Sequence, residues 1–285
     1  MSALGTRLAA SATEQGEEEG LMHTVELNGT QLAYREAGEG SPLLLIHAFP
    51  LGGAMWQPQL DGLSQQRRVI APDLRGFGAS PLGQPPAALE QYADDLAALL
   101  DALGIAQVAV GGLSMGGYIA FAFLRKYRER VTALVLADTR AGPDSEEARQ
   151  GRERNAQLAE REGAGPIADQ MLPKLLAPGA SEELRAQVAA LIRANQGAGV
   201  AAALRCMAAR PDSSLLLPTI DVPTLVLVGA EDALTPPEEA RAIQASIAGS
   251  TLVEIPHAAH LSNLEAPEPF NAALRTFLAS PQLTT

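Results

Sequence analysis

The chain has 285 residues, of which 47% are hydrophobic; 33 are Asp or Glu and 21 are Lys or Arg, for a formal net charge of −12. That length and apolar fraction suit one large domain with a sizeable core, and the acidic balance argues against nucleic acid or an anionic membrane as a partner. A single cysteine, Cys206, leaves no intramolecular disulfide and no cysteine metal cluster to expect.

Residues 1–20 lack apolar periodicity and end in Glu17-Glu18-Glu19-Gly20, which reads as a mobile tail. With no convincing signal-peptide core there and no apolar run of transmembrane length, a cytoplasmic protein is the expectation. Thr24–Leu27 and Gln31–Tyr34 flank Asn28-Gly29, a hairpin signal. Leu43–His47 and Val69–Ala71 are continuous apolar runs, as in strands covered on both faces. Met55–Leu63 between them reads as a short helix. Leu89, Tyr92, Ala93, Leu96, Leu100 and Leu103 recur at helical spacing.

Val108–Gly112 is the next strand, Tyr118–Leu124 a buried helix, and Val131–Leu136 a further strand. Alternation of this kind predicts an α/β fold with a mostly parallel, doubly wound sheet. Composition then changes. Residues 143–210 are charged, Ala-rich and without strand-like runs, so an all-helical insertion is expected there. The domain division is therefore a core of residues 21–142 and 211–285 with the insertion at 143–210. Strands resume at Thr224–Gly229 and Leu252–Ile255, and Phe270, Ala273, Leu274, Phe277 and Leu278 mark a closing helix. Between those strands Thr235-Pro236-Pro237-Glu238 reads as a helix start, with Thr235 as cap and Glu238 completing a capping box.

The chemistry is concentrated at Gly112-x-Ser114-x-Gly116. This pattern describes a strand-to-helix turn so sharp that the serine hydroxyl stands exposed at the end of the sheet. A Cβ at either glycine would collide with the neighbouring strand or helix. With 26 glycines in the chain, a chance match is expected about 0.1 times, and the strand-then-helix setting lowers that further. A serine hydroxyl is a weak nucleophile at neutral pH and needs a base, itself oriented by a carboxylate. In open parallel sheets such groups gather beyond the carboxyl ends of the strands. After Ser114 two loops qualify, Ala230-Glu231-Asp232 and Pro256-His257-Ala258-Ala259-His260. Glu231 and Asp232 compete for the acid, with Asp138 after an earlier strand as a third choice. His257 and His260 compete for the base.

Five ordered blocks carry a resemblance: His47-Ala48-Phe49-Pro50, Pro72 through Ser80, Gly112 through Gly117, Gly229 through Pro236, and His260 through Glu268. Together they are similar to the α/β-hydrolase fold superfamily, in particular its small bacterial esterase, enol-lactonase and cofactor-free haloperoxidase group. The resemblance implies Ser114 as nucleophile, His260 as general base and acid, and Asp232 as the orienting acid. It places the oxyanion hole at the backbone N–H of Met115, the residue after the nucleophile, and of Phe49. Relatives usually read His-Gly where this chain has His47-Ala48, so Ala48 must hold a negative φ. His47 is expected to tie down its loop, Asp73 and Arg75 to pair with each other or with backbone, and Met55 and Trp56 to pack the core.

The function so implied is hydrolysis of a small-molecule ester or lactone through an acyl-enzyme, with no cofactor and no metal. The insertion is expected to form a helical cap, with some of Met171, Leu172, Leu175, Leu176, Leu204 and Met207 facing the substrate. The same triad serves two other chemistries, perhydrolysis with peroxide in place of water and C–C bond hydrolysis. A ligand-sensing protein on the same scaffold is the alternative from outside enzymes.

Overall fold

In the computed structural model, residues 22–280 are described; the tail expected at 1–20 lies outside them. Strands β1 (Met22–Leu27) and β2 (Thr30–Ala37) form the expected hairpin. Asn28 and Gly29 turn it with φ of 51° and 73°, the left-handed pair that a two-residue turn requires. There follow β3 (Pro42–Ile46), α1 (Gln57–Leu63), β4 (Arg68–Pro72), α2 (Leu89–Ala102), β5 (Val108–Leu113), α3 (Met115–Lys126) and β6 (Val131–Ala137). Four helices come next: α4 (Glu146–Glu162), α5 (Gly165–Leu175), α6 (Glu182–Arg193) and α7 (Gly197–Ala208). The chain closes with β7 (Thr224–Gly229), α8 (Pro237–Ser246), β8 (Thr251–Ile255), the short α9 (Ser262–Glu265) and α10 (Pro267–Leu278).

The eight strands form one sheet in the order β1-β2-β4-β3-β5-β6-β7-β8. The β1–β2 and β2–β4 pairs are antiparallel and every pair from β4 to β8 is parallel. Side chains alternate across a strand, so a strand covered on both faces must be apolar at every position. Leu44, Ile46, Val110, Leu134, Leu136, Val226 and Val228 face one core, shared with α2, α3 and α8. Leu43, Leu45, Ala109, Leu113, Val135, Leu225 and Leu227 face the other, shared with α1 and α10. The continuous apolar runs of the sequence are this two-sided burial.

Helices α4 to α7 span the stretch expected to be helical. Ser145 and Ser181 cap α4 and α6 by accepting from Ala148 N and Leu184 N, each at 3.2 Å. These helices have no core of their own. Ala156, Ile167, Val200, Leu204 and Met207 join one core of the sheet, and Leu175, Leu176, Val188 and Ile192 join the other. Among the described residues no helix is long and apolar enough to cross a membrane.

Candidate active site

Ser114 is the single residue between β5 and α3. Its φ of 57° and ψ of −113° lie outside the comfortable regions for a side-chain-bearing residue, a strain of about 1–3 kcal/mol that the surroundings must hold. The backbone around it is clamped. Ser114 N donates to Ala137 O at 2.9 Å, and Thr139 Oγ1 donates to Ser114 O at 2.8 Å. The glycines act as the sequence indicates: a Cβ on Gly112 would stand 2.1 Å from Gly116 O, and one on Gly116 would stand 2.2 Å from Ile46 O. The side chain of Ser114 is left partly exposed at the carboxyl end of the sheet.

The β7 and β8 loops emerge at the same edge and are stitched together by Ala230 N to Ile255 O and Glu231 N to Ala258 O, both 2.9 Å. They bring His260 Nε2 to 2.8 Å from Ser114 Oγ and His260 Nδ1 to 2.8 Å from Asp232 Oδ2. A carboxylate only accepts, so Nδ1 carries the proton and Nε2 is free to accept from the serine. Both partners of this pair are buried. Burial alone would raise the Asp232 pKa. The hydrogen bond from His260 and the charge that ring carries once protonated, with the bonds from Thr235, outweigh it and hold the carboxyl below its usual range.

Thr235 corrects the helix-cap reading. Helix α8 starts at Pro237 with no side-chain cap. The Thr235 hydroxyl instead donates to Asp232 Oδ2 at 2.6 Å, while Leu234 N and Thr235 N donate to Oδ1 at 2.8 and 3.0 Å. Four donors, counting His260, thus fix the carboxylate.

The competitors lie elsewhere. Glu231 and His257 are exposed. Asp138 is fully buried, but its carboxyl accepts from Gly229 N at 2.7 Å and from the Ser262 hydroxyl, not from His260. Burial first, and then the charge of Asp232, push its pKa well above the usual value. It braces the acid loop against the histidine loop. Sequence reading offered it as a third choice for the acid but gave no sign of Ser262, its partner 124 residues away.

On the other side of Ser114, the N–H of Met115 opens α3 and has no partner within the helix. Phe49 lies in the turn after β3, where Leu51 N donates to Ala48 O at 2.9 Å. Ala48 is not among the residues of positive φ, so its Cβ is accommodated. His47 is fully buried: Nδ1 donates to Ala48 O at 3.0 Å and Nε2 accepts from Leu74 N at 3.1 Å. That arrangement requires the neutral ring, and burial lowers its pKa accordingly. Asp73 does hold backbone, accepting from Gly53 N at 2.6 Å and Ala79 N at 2.9 Å. Arg75 pairs with Asp95 through two bonds of 2.5 and 2.6 Å, not with Asp73. Met55 and Trp56 are core.

The sequence profile of the alpha/beta hydrolase fold matches residues 41–267, and the chain belongs to that family. It is similar to a thermophilic esterase from Thermogutta terrifontis, solved with malate bound, at 47% identity and a TM-score of 0.86 over 90% of this chain and 96% of that one. It is 33% identical over 259 residues to 3-oxoadipate enol-lactonase 2 of Acinetobacter baylyi, covering 90% of this chain and 96% of the relative. The enol-lactonase of Burkholderia xenovorans LB400 matches at 31% identity and a TM-score of 0.83, over 90% of this chain and all of that one. The chain is an α/β-fold hydrolase in a group of esterases and lactonases.

Proposed function

We propose that this hydrolase cleaves small carboxylic esters or lactones through an acyl-enzyme on Ser114. The observation that carries this reading is the unbroken chain of contacts from Ser114 Oγ through the His260 ring to Asp232, 2.8 Å at each step. His260 Nε2 takes the hydroxyl proton as Ser114 Oγ attacks the carbonyl carbon. Asp232 stabilises the imidazolium, and the N–H groups of Phe49 and Met115 receive the developing oxyanion. The imidazolium then protonates the leaving oxygen, which departs as an alcohol or, from a lactone, stays tethered to the acyl group. Water repeats the sequence on the acyl-enzyme, giving its proton to Nε2 and releasing the acid with Ser114 regenerated.

We also read helices α4 to α7 as a cap over this site and the enzyme as cytoplasmic. What supports the cap is a set of bonds to the histidine loop. Leu261 N donates to Leu175 O at 3.1 Å, and Glu265 accepts from Ala177 N at 2.6 Å and from Ala259 N at 2.8 Å. The test is a panel of p-nitrophenyl esters and lactones assayed with the intact chain and with Ser114→Ala. Turnover is expected in the former and a loss of at least about 10⁴-fold in the latter. Hydrolysis that survives in Ser114→Ala would overturn the assignment.

A further inference from the structure

A polar side chain from the helical insertion completes the turn that carries Phe49. Asn195 lies between α6 and α7 and is 6% exposed. Its Nδ2 donates to Pro50 O at 2.7 Å and to Leu191 O at 3.1 Å, and its Oδ1 accepts from Gly78 N at 2.8 Å. Both amide protons are used, and the three bonds join three separate segments. Pro50 is 145 residues away in sequence and Gly78 is 117. A buried amide with both protons satisfied is rigid, and a truncated one leaves its partners unpaired at a cost.

The consequence for Phe49 follows from peptide geometry. Its N–H shares a rigid plane with the carbonyl of Ala48 and points the opposite way. That carbonyl is fixed on the near side of the turn by two donors, Leu51 N and His47 Nδ1. On the far side the turn is held at Pro50 O, by Asn195. The insertion packs tightly beside this contact. A Cβ on Gly199 would lie 2.0 Å from Gly76 O, and one on Gly76 (φ +83°) would lie 2.7 Å from the Gly199 Cα. Backbone meets backbone there, a few residues on from Asn195 in α7.

We propose that Asn195 is a positioning residue for the oxyanion hole. By gripping Pro50 O on the far side of the turn, it acts with Leu51 N and His47 Nδ1 on Ala48 O to hold the direction of the Phe49 N–H, so that transition-state stabilisation depends in part on a residue of the insertion. This rests on the reading of Phe49 as an oxyanion donor. A donor misaimed by a fraction of an ångström loses much of its value in the transition state while leaving ground-state binding nearly unchanged.

The test uses Asn195→Ala, Asn195→Ser and Asn195→Asp in the full chain, each assayed well below its own melting temperature. The aspartate keeps an acceptor for Gly78 N but cannot donate to Pro50 O. All three are expected to lose about 10–100-fold in kcat with KM changed less than about threefold. Affinity for an aryl trifluoromethyl ketone, whose adduct carries the oxyanion, should fall by the same factor as kcat/KM. A merely structural role would lower the melting temperature without that correlation. The proposal is overturned if any folded variant keeps kcat within twofold, or if the loss falls in KM with ketone affinity unchanged. Failure of the underlying hydrolase reading looks different: the unsubstituted chain would itself hydrolyse none of the esters or lactones.

Discussion

Two buried carboxyls, Asp232 and Asp138, hold the segment that carries His260 and Ser262, and they differ in what they touch. Asp232 meets Nδ1 and is held ionised by four donors; Asp138 meets a backbone N–H and a serine hydroxyl and is pushed toward its neutral form. Asp232→Asn is therefore expected to cost about 10³–10⁴-fold in kcat, because the wrong tautomer of His260 would be presented to Ser114. Asp138→Asn should stay within about tenfold of the parent, since the amide keeps an acceptor for Gly229 N. The sign of its effect on stability is also fixed. A carboxyl whose pKa rises on folding stabilises the native state below its unfolded value, near 3.8, and loses that contribution as pH rises through the folded value. The melting temperature of Asp138→Asn relative to the parent should increase with pH over that range. A difference that falls with pH would contradict the raised pKa of Asp138, and a kcat loss equal to that of Asp232→Asn would reassign the acid. Thr235 belongs to the same scale. Its hydroxyl lies before Pro-Pro-Glu, where the local pattern of a helix cap is complete, yet the Asp232 carboxylate three residues back, itself held by His260, takes its proton. Local signals cannot rank such competitors.

Each element at the site is placed by a short-range constraint that the sequence states openly. Helix α3 follows β5 after one residue, and no larger side chain fits where the two meet β3. Gly116→Ala would push a methyl to 2.2 Å from Ile46 O. The neighbour is strand backbone that cannot yield cheaply, so destabilisation of about 1–3 kcal/mol or more is expected in urea titrations, with a loss of activity. An Ala variant as stable as the parent would mean that the elbow is looser than its contacts indicate. The insertion is tied to the site differently. Its bonds reach the histidine loop through Glu265 and the Pro50 turn through Asn195. Charged, Ala-rich composition without strand-like runs pointed to helices within 143–210. It said nothing of where those helices dock, because docking rests on partners more than 80 residues distant.

At the scale of the whole molecule, the parallel sheet and its order of helices were legible because two-sided burial writes continuous apolar runs into the strands. A parallel sheet delivers its strand ends to one edge, which narrowed the choice after Ser114 to a few loops; the preference for Asp232 and His260 within them came from the family resemblance. What stayed hidden was the polar bracing around them: Asp138 with Ser262, Thr235 with Asp232, and Asn195 with Pro50. No motif announces any of these pairings, even where one partner lies inside a recognisable block, and their meaning exists only after the chain has folded. The assembled account depends on one hydroxyl being the point of covalent attack. A fluorophosphonate titration read by peptide mass mapping alongside residual esterase activity tests this directly. The expected result is one phosphonyl group per chain, on Ser114, with activity falling in proportion to its occupancy. Activity that survives full modification of Ser114, or inactivation that follows labelling of another residue, would contradict it.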